Sequence, residues 1–91
     1  MKYEVLPSAR FRKDYKRAIK QGKRIEILQA VVAQLANDEP LMEKQHDHEL
    51  SGDYAGYREC HIQPDWLLVY KKENSILILT LARLGSHSEL F

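Results

Sequence analysis

Apolar residues change their period along this chain, and the changes mark its elements. From Lys2 to Leu6 they alternate, with Tyr3 and Val5 on one side, which predicts a short strand. Pro7-Ser8 interrupts the pattern, and Ser8 suits the N-cap of a helix. Phe11, Tyr15, Ala18 and Ile19 then recur at helical spacing, with Arg12, Lys13, Lys16, Arg17 and Lys20 over the rest of the surface. Gly22 predicts a left-handed cap. A second helix carries Ile25, Leu28, Val32 and Leu35 on one stripe, with Ile27 and Val31 beside it, and Asn37-Asp38-Glu39-Pro40 stops it. Two helices joined so tightly form a hairpin whose apolar face needs a sheet to cover.

From Leu41 to Gly56 the pattern is irregular, and this loop holds His46 and His48. Three strands are predicted after it, Tyr57–Ile62, Trp66–Tyr70 and Ser75–Ala82. Their connections are short enough only for an antiparallel meander. The expected fold is therefore α+β in one domain spanning residues 1–91: an N-terminal strand, a two-helix hairpin, then a three-stranded meander. If tight turns centre at Gln63/Pro64 and at Glu73/Asn74, His61 lies across from Trp66, and Asp65 lies across from Ala82 or Arg83. One sheet end would then gather His61, Asp65, Trp66 and Arg83, with His87 folding back and the loop delivering His48.

Composition adds the compartment and the charge. The longest mostly apolar run, Ile76–Ala82, is far below the ~20 residues that span a bilayer, so no membrane association is expected. No apolar signal segment follows Lys2, and Cys60 stands alone, so a reducing cytoplasm is the expected location. The formal net charge of +1 conceals a polarity. Residues 1–24 hold nine Lys and Arg against Glu4 and Asp14, whereas residues 25–65 hold two against nine acids. Arg10, Arg12, Lys13, Lys16, Arg17 and Lys20 form either a solvated helix face or a surface for nucleic-acid phosphates.

His46, His48, His61 and His87 all lie in the second half. Imidazoles with Asp65, Arg83 and aromatic rings make a set for holding a phosphate and moving protons around it. Blander readings stand beside this one. His46 reads as a solvated loop residue, His48 as a turn cap, Asp65 as a turn residue and Trp66 as core. Arg83 pairs equally well with Glu59 or Asp65, and His87 and Phe91 could be a frayed tail. The histidine spacing matches no recognised metal pattern, so neither metal nor cofactor is expected. Cys60 alternates away from His61 and is expected in the core.

From Asp47 to Phe91 the chain resembles the YafQ branch of the RelE/ParE toxin superfamily. The residues that carry the likeness are His48-Glu49-Leu50, Gly52, Gly56-Tyr57-Arg58, His61, Pro64-Asp65-Trp66-Leu67-Leu68, Tyr70, Arg83-Leu84-Gly85, His87 and Phe91. Glu49 stands where some relatives carry proline. The resemblance implies the toxin of a type II toxin–antitoxin pair, an endoribonuclease cutting mRNA in the ribosomal A site. It also implies a DinJ-like antitoxin as partner, along with the 70S ribosome and its RNA. The implied functional set is His48, His61, Asp65, Trp66, Arg83, His87 and Phe91. Within that set Arg83 suits the phosphate, His87 the acid and His48 the base, with Asp65 a rival base or an orienting partner. His61 would hold phosphate or tune its neighbours, and Trp66 and Phe91 would stack on a base or brace the site. The alternative is a non-catalytic toxin of the same fold, as in ParE members that act on gyrase; several histidines beside an arginine and a carboxylate favour the nuclease.

Overall fold

The computed structural model describes residues 2–91. Five strands form one sheet in the order β1-β5-β4-β3-β2. They are β1 (Glu4–Pro7), β2 (His48–Glu49), β3 (Arg58–Gln63), β4 (Trp66–Glu73) and β5 (Ile78–Gly85). Helices α1 (Ala9–Lys20) and α2 (Ile25–Ala36) cover one face, and a one-turn helix α3 (His87–Leu90) follows β5. The meander β3-β4-β5 is antiparallel as expected, and β1 joins it as a parallel partner of β5. The two-residue β2 adds an edge that the irregular loop did not announce.

Local chemistry sets the helix ends. The Ser8 hydroxyl accepts from the Phe11 N–H at 3.0 Å and donates to the Ala82 carbonyl at 2.9 Å, so one residue starts α1 and ties it to β5. Past α1, Gly22 at φ +74° closes the helix as its sequence predicts, with Gly22 N–H on Ile19 O and Lys23 N–H on Ala18 O. The same double closure ends α2 through Asp38 at φ +59°.

The core lies between the helices and the sheet. Trp66, Leu68 and Tyr70 of β4 and Leu79, Leu81 and Leu84 of β5 meet Phe11, Ala18, Leu28, Val31 and Leu35. Cys60 is buried there, and burial pushes its thiol up to about 12, which makes it inert. The other sheet face carries a smaller cluster of Leu67, Val69 and Leu90 with Leu50, Tyr54 and Tyr57. On α1 the apolar stripe differs from expectation. Ile19 is 53 % exposed, while Asp14 is buried at 5 % in line with Phe11 and Ala18.

Register also departs from the simple hairpin estimate. Lys71–Glu73 continue β4, because Lys72 packs over the Tyr3 ring at 4.7 Å and pairs with Asp38 at 2.7 Å. The turn therefore moves on, with Leu77 at φ +55°, and β5 runs Ile78–Gly85 rather than Ser75–Ala82. A bulge at Ala82 then places Tyr70 opposite Leu81 but Val69 opposite Arg83. Arg83 thus lies two rungs short of the sheet end where Asp65 sits.

Because Leu68 is wholly buried at the sheet centre, Leu68→Ala should destabilise the fold by about 2–5 kcal/mol. Ile19→Ala should stay within about 0.5 kcal/mol, urea unfolding being the measurement for both.

Candidate active site

The face away from α1 and α2 holds the chemistry. Two cross-strand rows run over it, Glu59–Val69–Arg83 and His61–Leu67–Gly85, and His48 of β2 lies beside Glu59. Ser86 starts α3 with a reciprocal cap: its hydroxyl accepts from Glu89 N–H at 3.3 Å, and the Glu89 carboxylate accepts from Ser86 N–H at 2.8 Å. That turn brings the His87 ring to 5.8 Å from His61. A Cβ at Gly85 would come within 2.9 Å of Arg17 Nη2, so a larger residue would displace the end of that side chain where α3 closes in.

Asp65 meets His87 rather than Arg83. Its Oδ1 accepts from the His87 backbone N–H at 3.1 Å and faces His87 Nδ1 at 3.0 Å. Those two bonds hold the Asp65 carboxyl below the usual carboxylate range and fix the ring. Glu59, 4 % exposed, has His48 Nε2 at 3.5 Å, and His48 Nδ1 donates to the His46 carbonyl at 2.8 Å. One oxygen of Glu59 and one ring nitrogen each of His61 and His87 lie within 4.8 Å of one another. Desolvation, then His46, lowers the His61 pKa; Glu59 pulls the other way.

Arg83 is held from behind. Asp14 accepts from Arg83 Nε at 2.8 Å, from Nη2 at 3.4 Å and from the Leu84 N–H at 3.0 Å. Nη1 turns to the Tyr54 hydroxyl at 3.4 Å, and Tyr54 meets the Phe91 ring edge-on at 5.8 Å. Phe91 is 60 % exposed.

Two expectations need correction. Trp66 is 1 % exposed on the helix side of the sheet, so it braces the fold and has no face for a base. Arg17 bridges Asp14 at 3.4 Å and Glu89 at 3.2 Å and donates to the Leu84 carbonyl, which removes it from a docking face. Arg10, Arg12, Lys13, Lys16 and Lys20 remain exposed. His46 is the exposed loop residue expected, and its ring lies 5.0 Å from that of His61.

Sequence reasoning also missed Glu59, Tyr54 and Asp14. Glu59 shares the His61 face by simple alternation, and Asp14 is the one acid within a run of cations. Both signals were present.

The sequence profile of the family described as "Bacterial toxin of type II toxin-antitoxin system, YafQ" matches residues 3–91. The chain belongs to the YafQ toxin family. The mRNA interferase toxin YafQ of Escherichia coli K12 is 38 % identical over 85 residues, covering 92 % of this chain and 90 % of that protein. Among solved structures, the E. coli DinJ-YafQ toxin-antitoxin complex contains a chain of TM-score 0.88 and 35 % identity, with 100 % of this chain and 99 % of that one covered. A metal-bound toxin from Helicobacter pylori gives TM-score 0.91 and 45 % identity over 98 % of this chain and 99 % of that one. YafQ membership thus agrees with the α+β architecture that the sequence predicts.

His61 allows a signed test of this site. Its depressed folded-state pKa means that its contribution to stability holds above about 6.5, the free imidazole value, and is lost as pH falls through the lower folded value. An NMR titration should place its midpoint below 6.5, and Glu59→Gln should lower it further, since that carboxylate is raising it. A midpoint that rises in Glu59→Gln would contradict the assignment of the neighbouring charges.

Proposed function

We propose that this YafQ-family toxin is an endoribonuclease that cleaves mRNA on the translating ribosome by acid–base chemistry. The observation that carries the reading is the convergence of Glu59, His61 and His87 within 4.8 Å, in line with Arg83 across the sheet. Glu59 and Arg83 sit two strand spacings apart, about 10 Å between backbones, so a phosphodiester fits between their side chains.

His61, kept neutral by its surroundings, takes the 2′-hydroxyl proton, and O2′ attacks the phosphorus. Arg83 balances the charge on the phosphorane. The P–O5′ bond breaks as His87, oriented by Asp65, gives its proton to O5′. The products are a 2′,3′-cyclic phosphate and a 5′-hydroxyl. His48, proposed from sequence as the base, donates from Nδ1 to the His46 carbonyl and has Nε2 3.5 Å from Glu59, and in this reading it holds the His46 loop beside Glu59.

Glu59, His61 and His87 also have the donor types of a divalent transition-metal site, in keeping with the metal-bound H. pylori relative. An ion there would occupy the nitrogens that carry protons. A cognate antitoxin, DinJ-like in kind, restrains the toxin in the cytoplasm, and similarity to the toxin of the DinJ-YafQ complex supports this.

Primer extension on translating ribosomes tests the central reading. Wild-type protein should give cleavage that survives EDTA at fixed ribosomal magnesium and is inhibited by added Cu²⁺ or Zn²⁺. His87→Ala should slow it by about 10²–10⁴-fold, and Arg83→Ala comparably, with folding retained for His87→Ala. A 3′-hydroxyl product abolished by chelation would count against the mechanism.

The exposed cations of α1 are proposed to dock on ribosomal RNA. Reversing Lys13, Lys16 and Lys20 to Glu should weaken ribosome binding and flatten its salt dependence by about one unit of slope per lost contact. Binding unchanged in this variant would leave the face merely solvated.

A further inference from the structure

Beside His87 lies a cleft that shares His61 with the cleavage chemistry but is otherwise not used by it. It has a volume of about 480 Å³ and is lined by Lys44, Gln45, His46, His61, Ile62 and Pro64. That size is within the about 300–1,000 Å³ of small-molecule sites. Its lining is largely apolar around Ile62 and Pro64, with one cation, Lys44, and the His46 and His61 rings.

His46 is fixed in an unusual way. Its backbone is left-handed, φ 47° and ψ 47°, a conformation that costs a non-glycine residue free energy. Two bonds hold it: its N–H on the Glu43 carbonyl at 3.0 Å, and its carbonyl receiving His48 Nδ1 at 2.8 Å. The preceding turn is stapled as well, Met42 N–H donating to Gln45 Oε1 at 2.6 Å and Gln45 Nε2 to Gln34 Oε1 at 3.3 Å. A strained loop residue anchored on both sides keeps its exposed ring in one place, 5.0 Å from His61.

An aromatic ring, an apolar floor and a cation, set against the group that activates the 2′-hydroxyl, match the components of an RNA base and its phosphate. We propose that this cleft seats one base of the mRNA next to the scissile phosphate, stacked on His46, and so sets which sequences are cut. The inference rests on the nuclease reading and names the substrate element that the site adds to it. Lys44 lies on the rim, where it would meet the flanking phosphate.

Two measurements test it. In sequencing of cleavage ends on ribosomes programmed with a randomised codon library, His46→Ala should lose about 5- to 150-fold in kcat/KM at the preferred triplets, the usual worth of one base–aromatic stack. The loss should be much smaller at the poorest triplets, and His46→Phe should restore the wild-type pattern because it keeps the ring without a titrating nitrogen. An unchanged cleavage profile in His46→Ala would overturn the proposal, as would uniform loss at every triplet that Phe fails to rescue. Independently of cleavage, titrating the wild-type protein with AMP, GMP, CMP and UMP should shift the amide NMR signals of residues 44–46 and 61–63. One nucleotide should be favoured, and His46→Ala should abolish the shifts. Shifts elsewhere, or none, would overturn the subsite even if the protein cleaves mRNA. Shifts at the cleft without any cleavage would overturn the nuclease reading alone.

Discussion

A single buried carboxylate joins the two halves of this molecule. Asp14 lies on α1, yet three of its four polar contacts are with β5 and its side chains: Arg83 Nε and Nη2 and the Leu84 N–H, the fourth being Arg17. Strand β1 ends at Pro7, opposite Leu81, so β5 beyond that point has an open edge whose N–H needs an acceptor. Asp14 supplies it. A buried carboxylate is tolerable only when paired and hydrogen-bonded, and Arg83 and Arg17 provide the opposite charge. Removal of either side leaves the other stranded, so helix packing, strand edge and the candidate phosphate-binding arginine depend on one another.

The same contact limits what Arg83 can do. With Nε and Nη2 committed to Asp14, the guanidinium presents Nη1 toward Tyr54 and the substrate face. In the proposed mechanism its direction is set before RNA binds, which lowers the cost of ordering it at the transition state. The His87 ring is held in the same manner by Asp65, and the reciprocal cap of Ser86 and Glu89 starts the four-residue α3. The site therefore combines a sheet face carrying Glu59, His61 and Arg83 with a short element, α3, that individual hydrogen bonds tie against it.

What the sequence made legible follows from how local each signal is. Helical periodicity, the Ser8 cap and the Gly22 closure are local, and α1, α2 and the meander agree with them. Register along β5 is not local. It depends on a turn through Leu77 at φ +55° and on a bulge at Ala82, neither of which has a residue signature such as glycine or Asn-Gly. That displacement moved Arg83 away from Asp65 and brought His87 to it. His46 is the exposed loop residue that the sequence suggests, but its left-handed backbone and its packing on His61 come from tertiary contacts of the Glu43–Gln45 turn. The structure brings His61, Asp65 and His87 together and leaves Arg83 further along the sheet on Asp14, whereas Trp66 lies in the core.

If Asp14 acts on cleavage through Arg83, the two residues must be energetically coupled, and a double-mutant cycle measures that directly. Cleavage rates on ribosomes would be compared for wild type, Asp14→Asn, Arg83→Gln and the double variant, each checked for folding by circular dichroism. The account predicts that Asp14→Asn slows cleavage in the wild-type background but has little further effect once Arg83 is Gln. Losses that simply multiply in the double variant would contradict it, and would reduce Asp14 to a residue that holds the fold alone.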